Sequence, residues 1–132
     1  MSLIFINPES LGAPRGYANG VLAPPGNGLL FIAGQVGWDE QQKIVSSDFV
    51  EQFERALANL VAVVTEAGGA PERIVRLAIY VTDLEAYRSR TKEVGKRYRS
   101  LMGRHFPAMV LVEVKSLLDP NALVEIEGMA VL

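Results

Sequence analysis

The chain has 132 residues, with 13 lysines and arginines, 15 aspartates and glutamates, one histidine and no cysteine. That length holds one domain around one core, and 49% hydrophobic with 21% charged residues excludes a disordered polymer. A formal net charge of −2 argues against a protein whose main work is neutralising phosphates, and the missing cysteines exclude disulfides, thiolate catalysis and zinc ribbons.

In chain order, Leu3 to Ile6 reads as a short strand and Pro8 to Gly16 as a loop. Tyr17 to Ala23 and Gly28 to Gln35 read as two strands joined as a hairpin through Pro24-Pro25-Gly26-Asn27, a run with turn chemistry. Gly37 to Ser47 is polar and loop-like. The clearest helix follows: Phe49, Phe53, Ala56, Leu57, Leu60, Val63, Val64 and Ala67 make one apolar stripe. Asp48 with Glu51 forms a D-x-x-E start signal, and Gly68-Gly69 then Pro71 end it. Ile74 to Thr82 alternates as a strand. A second helix is expected from about Leu84 to Met102, with Leu84, Tyr87, Thr91, Val94, Tyr98 and Leu101 along one side.

Phe106 to Val114 and Leu123 to Leu132 both alternate with period two, so each has two distinct faces. In the last strand Val124, Ile126, Ala130 and Leu132 share one face. Leu123, Glu125, Glu127, Met129 and Val131 share the other. Two carboxylates among large apolar side chains imply that this second face meets something besides water. The order β-β-β-α-β-α-β-β, with helices that bury one stripe each, predicts an α+β two-layer sandwich: a mixed sheet with two helices on one face, in a single domain spanning residues 1–132. The other sheet face, expected to carry Leu111, Leu123, Met129 and Val131, stays uncovered in a monomer, which predicts a homo-oligomer.

No apolar run nears the roughly 18 residues of a membrane span. Met1-Ser2-Leu3-Ile4-Phe5-Ile6 has no basic start of an export signal, so the expected location is cytoplasmic.

The order and spacing of seven pieces together resemble the RidA/YjgF family, described as enamine/imine deaminases. They are Gly16-Tyr17-Ala18-Asn19-Gly20-Val21, Phe31-Ile32-Ala33-Gly34-Gln35-Val36, Gln52 through Asn59-Leu60, Ala67-Gly68-Gly69, Val81-Thr82-Asp83-Leu84, Phe106-Pro107-Ala108 and Val124-Glu125-Ile126-Glu127. The resemblance covers nearly the whole chain. It implies a chorismate-mutase-like fold and a homotrimer whose clefts lie between neighbouring subunits, and it implies no cofactor. It also implies that Glu125 and Tyr17 carry catalysis. Typical relatives place an arginine after Pro-Ala to grip a substrate carboxylate; here that position is Met109, which offers neither charge nor a hydrogen-bond donor. The family's asparagine near the second helix is replaced by Thr91.

Imine hydrolysis needs water delivered to C=N and a group that moves protons, a task suited to a carboxylate such as Glu125; the alternative role is an interfacial ion pair. Tyr17 fits either a water-orienting phenol or a half-buried strand tyrosine. Gly34 fits a backbone N–H presented to a ligand, or a strand bulge. Met109 and Trp38 are candidate cleft-lining residues and Arg15 a candidate substitute cation, each with a plain packing or solvated alternative. Glu127 and Glu113 read as structural carboxylates. One histidine, His105, beside Arg104, supports no metal site.

Three functions follow as expectations. The first is a divergent, cofactor-free hydrolase that turns a reactive imine or enamine into a carbonyl product and ammonia. The second is a non-catalytic trimer that binds small metabolites, such as a keto acid, or a partner in the same cleft. The third, an endoribonuclease, is opposed by the acidic balance, the single histidine and the lack of a basic-aromatic surface.

Overall fold

The computed structural model describes residues 2–24 and 26–132. Its centre is a four-stranded sheet in the order β3-β6-β4-β5, built from β3 (Leu29–Val36), β6 (Val124–Val131), β4 (Ile74–Val81) and β5 (Ala108–Glu113). The β4–β5 pair is parallel and the other pairs are antiparallel, so the sheet is mixed. Two short strands, β1 (Ile4–Ile6) and β2 (Gly20–Leu22), form a separate antiparallel ribbon.

Helix α1 (Phe49–Glu66) starts where Asp48 Oδ2 accepts the Glu51 N–H at 3.1 Å, and it ends before Gly68, whose φ of 90° suits a residue without a side chain. Its buried stripe of Phe53, Leu57, Leu60 and Val64 packs on Leu77, Ile79, Ile126 and Ala130 of the sheet. The third side of this core comes from Val94, Tyr98 and Met102 of α3 (Thr91–Met102). Each large apolar side chain removed from water here contributes about 1.5–3 kcal/mol. Gln52 is the one buried polar side chain of the described core. Its Nε2 donates to the Ser46 and Asn121 carbonyls and its Oε1 accepts the Leu123 N–H, which ties α1 to the entrance of β6.

The two-layer α+β sandwich with its helices on one face is therefore as expected, but four local expectations are corrected. The hairpin of Tyr17–Ala23 with Gly28–Gln35 does not form: β2 pairs with β1 and β3 pairs with β6. Pro25 of the expected turn lies outside the described residues. Asn27 donates to the Leu132 carbonyl at 2.6 Å and Leu132 to that of Gly28 at 3.0 Å, so this segment is held by the chain's last residue.

The second helix is broken into α2 (Leu84–Arg88) and α3 at Ser89 and Arg90. Arg90 has φ −132° and ψ 30°, outside the helical range, and its guanidinium bridges Asp48 (2.5 Å) and Glu93 (2.6 Å). Leu111 faces the helices instead of the open side, because the parallel register sets it beside Ile79 and sets Met109 beside Leu77. Val131 is buried, with Gly26 packed against it.

The open face is nonetheless apolar. Phe31 is 70% exposed and Leu29 59%, and Val110 and Val112 are also exposed. No described helix is long and apolar enough to cross a membrane.

Candidate functional site

Glu125 lies on β6, beside Tyr80 of β4 and Val36 of β3 in the ladder. The β3 register shifts between Ile32 and Gln35, which takes Ala33 and Gly34 out of regular pairing. Gly34 is therefore at a bulge, and a Cβ built on it would overlap Glu125 Oε2. The requirement for glycine is space. The half-buried Glu125 carboxylate makes no hydrogen bond or ion pair with any other described residue.

Its neighbour Glu127 is engaged. Tyr80 Oη donates a short hydrogen bond to Glu127 Oε1. That bond, helped by lost solvation and by the two nearby carboxylates, raises the Tyr80 pKa above the usual phenol value. Of two carboxylates on one strand face, one is tied by a phenol and the other has no hydrogen-bond partner among the described residues.

A second cluster lies on the helix side of β5. Segment 15–18 meets β5 through a parallel bridge between Ala18 and Ala108, supported by the Ala18 N–H to Pro107 carbonyl bond at 3.0 Å. This positions Arg15 and Tyr17 beside Met109, around a cavity of about 430 Å³. Phe53, Ile79 and Leu111 form part of its apolar lining; Thr91, Gly95, Tyr98 and Arg99 come from α3. Tyr98 stacks on Phe106 with ring centres 5.3 Å apart and donates to the His105 carbonyl at 2.6 Å. Burial pushes the Tyr98 phenol well above the usual tyrosine range, so it stays a neutral donor. His105 is structural: its Nε2 bonds the Ile74 carbonyl at 2.7 Å, and its ring packs edge-on to Phe5. Among the described residues, no group of three histidine or acidic side chains is arranged to hold a metal ion.

Within one chain, the structure thus brings Gly34 to Glu125, and Arg15 and Tyr17 to Met109, but it does not bring the two groups together. Glu125 sits on the open face next to edge strand β3, while Met109 faces the helices from the opposite edge strand, β5. Trp38 joins neither group. It is half-buried after β3, pairs with Ile44, and its carbonyl accepts from Asn59 Nδ2 at 3.0 Å. Glu113, at the end of β5, accepts the Leu84 N–H that opens α2.

Sequence reasoning missed Tyr80 and Arg99. The available signal for Arg99 was Gly95 one helical turn earlier, a gap in which a long side chain can lie back along α3.

Residues 9–132 match the family described as Endoribonuclease L-PSP. A RutC family protein of Pyrococcus abyssi is 36% identical over 103 residues, which is 77% of this chain and 77% of its own. Among solved structures, the Rid family protein YyfB of Yersinia pestis is 32% identical, covers all of both chains and superposes with a TM-score of 0.88. TdcF of E. coli, crystallised with bound serine, is 26% identical over 92% of this chain and 91% of its own, with a TM-score of 0.68.

Proposed function

Because the chain belongs to the RidA/YjgF family, we propose that it is a cofactor-free hydrolase that converts a reactive imine or enamine into a carbonyl compound and ammonia. The observation that carries this reading is the Glu125 carboxylate, unpaired and half-buried against the Gly34 bulge while Tyr80 occupies Glu127.

In the imine tautomer, Glu125 accepts a proton from water as the water oxygen adds to the C=N carbon, and the carboxyl returns that proton to nitrogen. The carbinolamine then collapses: its hydroxyl proton passes to Glu125, which hands it to nitrogen, the C–N bond breaks, ammonia leaves and C=O forms with Glu125 again a carboxylate. One imine and one water give one carbonyl product and one ammonia.

The catalytic half-site at Glu125 and the binding half-site at Tyr17 and Met109 lie toward opposite sheet edges. A homotrimer that joins the β5 edge of one copy to the β3 edge of the next would unite them. The exposed Leu29, Phe31, Val110 and Val112 supply the apolar surface such an assembly buries. Serine bound to TdcF is an α-amino carboxylate, and its imine counterpart has the chemistry proposed here.

The test is ammonia release from imino acids generated in situ. Glu125→Gln keeps the shape and removes the base, so turnover is expected to fall by about 100-fold or more; wild-type turnover by this variant would refute the assignment. Met109, in the position where typical relatives carry the anchoring arginine, favours a second reading, a small-metabolite binder without turnover. Saturable keto-acid binding with no ammonia release from any imine tried would select it.

A further inference from the structure

We infer that the helix-side cavity takes a bulky apolar 2-oxo or 2-imino carboxylate, gripped at its mouth by Arg99 and Arg15 in place of a cation at position 109. This rests on the proposed function for the identity of the site, and it adds what that reading leaves open, the size and charge of the ligand.

The first support is the distribution of engaged cations. Arg90 is paired with Asp48 and Glu93, and Arg97 with Glu54; Arg55 bonds Asn59 and Arg73 bonds the Val131 carbonyl. The guanidinium groups of Arg15, Arg76, Arg88, Arg99 and Arg104 make no hydrogen bond or ion pair with any described residue; of these, Arg15 and Arg99 line this cavity, and no aspartate or glutamate does. Two uncompensated cations beside one concave space attract an anion.

The second support is Gly95. A Cβ on residue 95 would stand 3.1 Å from Arg99 Nη1, so the guanidinium lies back over this position and against the cavity wall. Glycine is the poorest helix former after proline, and here its missing side chain leaves room for the fork of Arg99. That fork suits bidentate contact with a carboxylate.

The third support is the wall itself. Phe53, Ile79, Val94, Phe106, Met109 and Leu111 offer apolar surface deeper in a space of about 430 Å³, within the usual range of small-molecule sites. A three-carbon acid held at the mouth would leave most of that surface against water. An aryl or branched side chain would cover it, and the Met109 thioether is a suitable contact for such a group.

The test is calorimetric titration of the assembled protein with phenylpyruvate, with pyruvate (same charge, no bulk) and with phenylacetone (same bulk, no charge). Wild type is expected to bind phenylpyruvate at least about tenfold more tightly than either, and the double variant Arg15→Gln/Arg99→Gln to lose that preference over phenylacetone. Met109→Trp, which narrows the cavity from the β5 wall while leaving both cations, is expected to weaken phenylpyruvate more than pyruvate. Equal binding by wild type and the double variant, a preference for pyruvate, or no saturable binding of phenylpyruvate would overturn the inference. Tight, arginine-dependent binding without ammonia release would refute the hydrolase reading and leave this one intact.

Discussion

Gly34 and Glu125 are in direct contact across the β3–β6 pair: the bulge turns the Gly34 backbone toward the carboxylate with no space between them for a methyl group. The contact fixes where the acid can point. Gly34 is exposed and its φ is not positive, so alanine is compatible with the backbone but not with the carboxylate's position. Gly34→Ala is expected to lower turnover by about tenfold or more, with a melting temperature close to wild type. An unchanged rate by ammonia assay would show that the Glu125 rotamer does not matter.

The exposed apolar residues of the open face give a prediction about assembly. Phe31 and Val112 are exposed on that face, Phe31 the more so. Phe31→Glu/Val112→Glu is expected to convert the protein to folded monomers at micromolar concentration and to abolish turnover with it. Sedimentation velocity and circular dichroism together check this. A variant that assembles as the wild type does would place the interface elsewhere.

Asp48 predicts an acid-sensitive start to α1. The Arg90 side chain, then the Glu51 N–H, holds its carboxyl below the usual carboxylate range, and Arg90 does the same to Glu93. A pKa lower in the folded state means that the stabilisation is complete above the ordinary carboxylate value of about 4 and is lost as pH falls through the lower folded value. Asp48→Ala is expected to cost about 1 kcal/mol at neutral pH through the lost helix cap. Asp48→Asn keeps a capping oxygen and is expected to flatten the fall in stability between pH 5 and pH 2, roughly the span in which paired carboxylates titrate. Urea unfolding across that range checks both.

Gln52 supplies the sharpest stability prediction. It is fully buried, and its amide serves two carbonyls and the Leu123 N–H. Gln52→Leu has a similar size and cannot bond any of them. The expected loss is about 3 kcal/mol, since buried polar groups left unpaired cost about 1–3 kcal/mol each and the loop partly rehydrates. Equilibrium denaturation at neutral pH measures it.

What the sequence disclosed follows the range of the forces involved. Helix α1 was legible at both ends because Asp48, Glu51 and Gly68 act within a turn of the residues they govern. The break before α3 was not, because Arg90 answers to Asp48, 42 residues away. The Pro-Pro-Gly-Asn run suggested a hairpin, yet β3 finds an eight-residue partner in β6, nearly a hundred positions later in the chain, and no local turn signal reports that. Alternation split β5 into two faces without saying which face meets the helices. The parallel register with Leu77 and Ile79 decides that, and it carried Leu111 and Met109 inward together. Glu125 stood out because an acid between apolar neighbours is visible in one strand. The approach of Arg99 to the cavity depends on an absent side chain at Gly95 and on a helix start that was itself hidden.

The strand order β3-β6-β4-β5 leaves each chain with two unlike borders, one fronted by Gly34 and the other by Met109. In the proposed ring unlike borders join head to tail, so it has a single rotational sense and every junction draws on two different molecules. Chains lesioned at one border can therefore be blended with chains lesioned at the other, and a fraction of the mixed junctions receives two sound contributors. On the proposed function, two inactive preparations, once unfolded and reassembled together, are expected to regain activity in a proportion set by combinatorics.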